Sequence, residues 1–190
     1  MDRCCKGRLL HYFPPDIATT NANEGPDDRD LDFSSWCGWH NDHCSLTGLL
    51  PAMYIDVNGE EISNPDPESG LYIKARDGRL VRASIPSNAM AFQIGETAQI
   101  HSGGILQATP HAVRGCKKDG CQGVSRESFA VFMEPEYFGE MKIPRGRTIQ
   151  DAQRKEDEIH LPKSVKTLRS RYKQGMNFGE FSEATFAAFH

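Results

Sequence analysis

Apolar and polar residues alternate in short runs along most of this chain, and turn residues punctuate the runs at regular intervals. Residues 7–13 read as a strand stopped by Pro14 and Pro15, because proline cannot donate to a sheet ladder. Residues 16–30 are rich in Asn, Asp, Thr and Pro and read as a loop. Residues 46–55 form an apolar run with Pro51 inside it, which predicts a strand broken by a bulge or an edge. Asn58-Gly59 and Asp77-Gly78 are hairpin signals, the second joining strands at Gly70–Lys74 and 80–85. Ala91–Ile94 reads as another short strand, and Glu96–His101 as one or two helical turns closed by Gly103-Gly104. Residues 105–114 read as a strand around Pro110, and a loop runs on through Gly123. Residues 128–133, Ser-Phe-Ala-Val-Phe-Met, read as a buried strand.

Many short strands with frequent turns predict a sandwich or barrel rather than βαβ units. After Pro144 the chain turns polar and charge-rich. Between Arg145 and Lys173 nine Lys/Arg face four Asp/Glu, the composition of a solvated, helix-containing tail. Within it, residues 164–172 look helical, with Ser164 as cap and Gly175 as stop. The final stretch, Phe178–Phe189, carries four phenylalanines and must pack on something.

Composition narrows the class. The 190 residues make one ordinary domain, and 38% hydrophobic with 25% charged residues supports a buried core. A net charge of −4 offers none of the concentrated basic surface that nucleic-acid binding uses. No apolar run approaches the ~20 residues of a membrane span, and the N-terminus has no secretory apolar core. A cytoplasmic setting is therefore expected, with the six cysteines as thiols. Cys116 and Cys121 bracket a short turn, but their spacing matches no strong zinc pattern.

The densest cluster of chemistry is Trp39-His40-Asn41-Asp42-His43. On an extended chain His40 and Asp42 share a face, because strand side chains alternate. An imidazole and a carboxylate with a second histidine form a face that leaves open positions on iron(II). The third ligand must come from His11, His43, His101, His111, His160 or His190. His111 lies on a predicted strand of small residues that can point inward. His43 neighbours Asp42 and would face the other way, His101 ends a helical segment, and His160 and His190 lie in the polar tail. From these residues alone, ordinary loop hydrogen bonding stays open as the alternative.

A second cluster follows. Arg126 and Ser128 are two apart at the head of the apolar strand, so they share a face. Arginine grips a carboxylate with a planar fork, and serine adds a hydroxyl donor. That carboxylate could belong to a ligand or to the protein.

Taken in order, these segments resemble the isopenicillin N synthase-like branch of the 2-oxoglutarate/iron(II) dioxygenases. His40-Asn41-Asp42 with Leu46-Thr47-Gly48-Leu49 is similar to that family's HxD strand. Gly95-Glu96-Thr97-Ala98-Gln99 and Ser102-Gly103-Gly104 resemble the turn that follows, with Gly103 where the family has Asn. His111-Ala112-Val113 resembles its distal His-Arg-Val, with Arg114 one position late, and Arg126-Glu127-Ser128 its Arg-x-Ser clasp. The likeness covers residues 7–135 and, with four motifs in order, is far more specific than any one of them.

The resemblance implies a mainly β double-stranded β-helix, or jelly roll, over residues 1–143. Residues 144–190 are then a polar, partly helical extension packed on it. It implies iron(II) held by His40, Asp42 and His111. It also implies 2-oxoglutarate held by Arg126 and Ser128, O2 as co-reactant, and hydroxylation of a small organic substrate as 2-oxoglutarate becomes succinate. Trp36, Trp39, Tyr54, Gln93 and Gln99 are further candidates for the mouth of the site or for supporting the ligands. In the first strand the family's Asn-x-Tyr is replaced by His11-Tyr12-Phe13, which leaves Tyr12 as the cosubstrate contact there. The family's N-terminal helical domain has no counterpart in these residues, so a preceding domain or a partner is expected to cover the barrel. The alternative is a non-catalytic or cosubstrate-independent jelly-roll module that binds a metal or a partner.

Overall fold

The computed structural model describes residues 4–14, 36–117 and 120–189, so the loop expected at 16–30 lies outside the described residues. Among them, two antiparallel sheets face each other. The larger holds β1 (Cys4–Tyr12), β3 (Leu46–Leu49), β4 (Met53–Ile55), β5 (Glu61–Ile62), β8 (Ala91–Ile94) and β10 (Ser125–Glu134). The smaller has the order β2-β9-β6-β7, from β2 (Cys37–His40), β9 (His111–Arg114), β6 (Gly70–Lys74) and β7 (Leu80–Arg82). This is the expected double-stranded β-helix.

β10 organises the larger sheet. β1 pairs along its whole length, from Cys4 opposite Glu134 to Tyr12 opposite Arg126. On its other edge β3 pairs with residues 130–133 and β4 with residues 125–127. The 46–55 run is therefore two strands in line, broken where Pro51 has no N–H to give. The hairpins fall where expected: Gly59 and Gly78 sit at φ +84° and +81°, conformations that cost glycine little. Strand 105–114 is shorter than expected, because only His111–Arg114 pairs with a neighbour.

β10 is longer than its apolar core and only half-buried. Its buried residues include Arg126, Ala130 and Glu134, while Glu127, Phe129, Val131 and Met133 face outward. The strand is thus a wall with one face on an interior cavity.

The helical segments are α1 (Glu96–His101), α2 (Ile149–Gln153), a 3-10 turn at Lys155–His160, α3 (Leu168–Arg171) and α4 (Phe178–Phe189). Only α3 forms within 164–172. Its cap position is Thr167, and Ser164 instead donates from Oγ to the Trp39 carbonyl. Nor is the tail merely solvated. The largest apolar cluster joins Ile100 of α1 to Met141, Leu168, Tyr172, Phe178 and Phe181. Phe178 and Phe181 of α4 thus pack against α1, outside the barrel. That leaves the barrel interior hollow.

Candidate metal centre

His40 ends β2 and His111 begins β9, and the two are paired across the smaller sheet. Their rings lie 4.1 Å apart. Asp42 lies two residues past the end of β2, in the turn that crosses to β3. It does not reach the histidines by strand alternation; the turn swings it under them. The Nε2 atoms of His40 and His111 lie 3.9 and 3.8 Å from Asp42 Oδ1. One ligand atom from each of the three residues falls within 4.8 Å of the others, the single such cluster among the described residues.

The surrounding bonds orient these atoms. His40 Nδ1 donates to the Gly38 carbonyl at 2.8 Å, and His111 Nδ1 to the Thr109 carbonyl at 3.1 Å. When the rings are neutral, these bonds leave both Nε2 atoms as acceptors, the tautomer a metal needs, and Gln93 Nε2 lies 3.0 Å from His111 Nε2. Asp42 Oδ2 accepts from Thr47 Oγ at 2.6 Å and from Gln93 Nε2 at 3.0 Å, which leaves Oδ1 turned to the histidines. The turn itself is clamped to α1: Glu96 N–H donates to the Asp42 carbonyl, and a Cβ on Gly95 would stand 2.0 Å from the Cys44 carbonyl oxygen.

Protonation follows this packing. Burial works against a charged His40, but Cys37, the Gly38 carbonyl and Asp42 outweigh it and raise its pKa to about 9. His111 is pushed down to about 4, by burial and then by the charge on His40. His43 is also lowered by burial; it stacks on Phe178 and meets Ser182 of α4. As expected, it is no part of the cluster.

Arg126 and Tyr12 are opposite one another on β10 and β1, on the wall of the same cavity, of about 570 Å³. Arg126 is 7% exposed, and among the described residues no carboxylate pairs with it. Its Nε has no hydrogen-bond partner. The Tyr12 hydroxyl bonds to Ser128 and Arg126, and burial raises its pKa. A buried guanidinium keeps its charge, so with no carboxylate beside it among the described residues it is suited to an anion in the cavity. The polar set Arg126, Ser128 and Tyr12 and the cluster His40, Asp42 and His111 thus open on one cavity.

His11 and Phe13 do not line it. His11 points outward, where it pairs with Glu127, and Phe13 packs edge-on against its ring. The departures at these positions therefore leave the cavity untouched. Of the other candidates, Gln93 and Tyr54 stand at the site, whereas Gln99 ties α1 to the Ala152 carbonyl. Trp36 packs beside Tyr54, and Trp39 beside Tyr72. Sequence reasoning missed Cys37, Arg8, Phe132 and Glu134 on the wall and Thr185 and Phe186 from α4. The inward alternation of β1 and β10 was the signal for three of these, while nothing local foretold α4.

No protein-family model matches the chain, and no curated protein does. Solved structures match its fold. A full-length Neurospora crassa protein, crystallised in complex with alpha-KG and thymine, aligns over 97% of this chain at 21% identity and a TM-score of 0.60. A Caulobacter crescentus protein assigned to the 2OG-Fe(II) oxygenase family aligns over 98% at 22% identity and 0.57. The rice dioxygenase for auxin oxidation aligns over 96% at 18% identity and 0.55. The chain spans less than half the length of each, between 44% and 46%. The fold is therefore that of the 2OG-Fe(II) oxygenase structures.

Proposed function

We propose that this chain is the catalytic core of an iron(II)- and 2-oxoglutarate-dependent oxygenase that hydroxylates a small organic substrate. The observation that carries the reading is Arg126, a buried cation with no carboxylate partner among the described residues, on the cavity that also holds the His-Asp-His cluster. Two imidazoles and one carboxylate are the donor set of non-haem iron(II). Bound iron with 2-oxoglutarate supplies oxygen activation, the cosubstrate losing carbon dioxide to become succinate as the substrate is oxidised.

The protein's own residues do the rest. His40, Asp42 and His111 would hold the metal. Arg126, Ser128 and Tyr12 would hold the far carboxylate of 2-oxoglutarate, on the same cavity as the metal cluster. The apolar wall from Leu10, Leu49 and Phe132 keeps water from the reacting centre.

We assign the oxygenase domain to residues 1–143 and treat 144–190 as an extension integral to it. The outer face of the larger sheet bears Leu9, Met53, Met90 and Phe92, all exposed, with Phe92, Met133 and Met90 gathered over Gly48. A patch of this kind favours cover by an N-terminal domain or a partner. No helix among the described residues is long and apolar enough to cross a membrane. The free thiols at Cys5, Cys37, Cys44, Cys116 and Cys121 agree with a cytoplasmic location.

The test is anaerobic titration with Fe(II) and 2-oxoglutarate, watching for the visible band of the chelate. A band in the wild type that His111→Ala and Arg126→Ala both lose supports the reading. Iron binding without a band would point to an oxidase that uses no 2-oxoglutarate. A folded chain that binds no iron would leave a jelly-roll binding module.

A further inference from the structure

The cavity wall carries two guanidinium groups besides Arg126, namely Arg8 and Arg82. Arg82 is engaged, donating from Nε to the Ser69 carbonyl at 3.2 Å. Arg8 has no carboxylate partner among the described residues; its guanidinium lies 4.9 Å from the Phe132 ring centroid. Two acidic side chains share the wall, and neither is free for Arg8. Asp42 faces the histidines, and Glu134 is paired with Lys6 at 2.7 Å. Arg8 is itself solvent-exposed, so water satisfies its charge until a ligand's carboxylate reaches this wall of the cavity.

Sheet register separates the two arginines. Tyr12 stands opposite Arg126 and Arg8 opposite Ala130, four residues further along β10. At a strand's rise that is about 13 Å, too far for one short ligand group to satisfy both. Register also ties Arg8 to the metal side. Ala130 is flanked by Arg8 on one strand and Leu49 on the other. The next inward residue, Phe132, stands opposite Thr47, whose hydroxyl holds Asp42. A molecule gripped at Arg8 and lying on Phe132 therefore extends toward the metal cluster.

We infer that Arg8 is the substrate's anchor. The substrate is a small organic acid whose carboxylate pairs with Arg8 and whose apolar body lies on Phe132 among Leu10, Leu49 and Phe186. This rests on the oxygenase reading above and adds the substrate class to it. A monoanion fits better than a phosphate ester. One guanidinium supplies a single planar fork, which matches one carboxylate. Cation–π contact with Phe132 holds the fork in place before the acid arrives.

The test is equilibrium binding by calorimetry to the zinc-loaded, 2-oxoglutarate-saturated protein. The probes are benzoate, phenylacetate and octanoate, each against its methyl ester. At least one acid is expected to bind about tenfold or more tightly than its ester. Arg8→Met is expected to abolish that preference and Arg8→Lys to keep part of it, with circular dichroism confirming that both fold. Equal binding of acids and esters, no binding of any probe, or a preference that survives Arg8→Met overturns the inference. So does a preference lost in Arg126→Met but not in Arg8→Met. The oxygenase reading is scored separately by the iron and 2-oxoglutarate titration. If that chelate never forms while an acid preference still depends on Arg8, the anchor stands and the oxygenase reading falls.

Discussion

Arg171 and Glu96 form a buried ion pair across 75 residues of sequence, tying α3 to the first turn of α1. The side chains are 3% and 1% exposed. Arg171 also donates to Thr185 of α4 and to the Lys166 carbonyl. On the other side, Glu96 accepts from Asn41 and gives its N–H to the Asp42 carbonyl. The C-terminal segment is thereby fastened to the turn that carries a proposed metal ligand.

Breaking this pair on one side leaves a buried charge. Arg171→Leu is expected to cost about 3–5 kcal/mol in urea unfolding. The double variant Glu96→Leu/Arg171→Leu is expected to recover part of that loss, since it removes both charges. A double variant as unstable as the single one would show that the guanidinium's other bonds matter more.

Thr47 and Gln93 hydrogen-bond and orient Asp42, the proposed carboxylate ligand. Thr47→Val conserves shape in a fully buried site and removes only the hydroxyl. Metal affinity is expected to fall roughly 10–100-fold, with Gln93→Leu acting in the same direction. Competition against a chromophoric chelator measures both, and unchanged affinity would mean that Asp42 holds its rotamer unaided.

Removing Arg126 is expected to separate cosubstrate from metal. Arg126→Leu is expected to weaken 2-oxoglutarate binding by roughly 10–100-fold while metal affinity stays as in the wild type. The metal-free variant is expected to melt no lower than the wild type, because an uncompensated buried charge is gone. A lower melting temperature would reveal a structural partner for the guanidinium.

The half-buried His43 is expected to add acid sensitivity to the fold. Its folded-state pKa lies below the ordinary value of 6.5, so the unfolded chain takes up the proton first as pH falls. Its contribution to stability is therefore present above that value and is lost progressively below it. His40 acts in the opposite sense. Its raised pKa adds stability that is full below pH 6.5 and fades as pH climbs toward about 9. Urea midpoints at pH 7.5 and pH 5.5, compared between wild type and His43→Gln, isolate the first effect: the variant is expected to lose less on acidification.

Local signals carried much of this protein. Alternation placed most strands, Asn58-Gly59 and Asp77-Gly78 placed the hairpins, and Gly103-Gly104 ended α1, because each depends on neighbours within a few residues. The same locality made His40 with Asp42, and Arg126 with Ser128, legible as pairs of chemical groups. The family resemblance supplied their joint meaning, since neither spacing alone excludes an ordinary structural role. Tertiary structure decided what depends on register and packing. The pairing of β2 with β9 sets His111 beside His40, and a one-residue slip would turn it to the other face. The pairing of β1 with β10 turns Tyr12 and Arg8 to the cavity and His11 to the outside. The tail reads as solvated because its charges dominate locally; Arg171 and Phe181 go inside because Glu96 and Ile100, far away in sequence, meet them there.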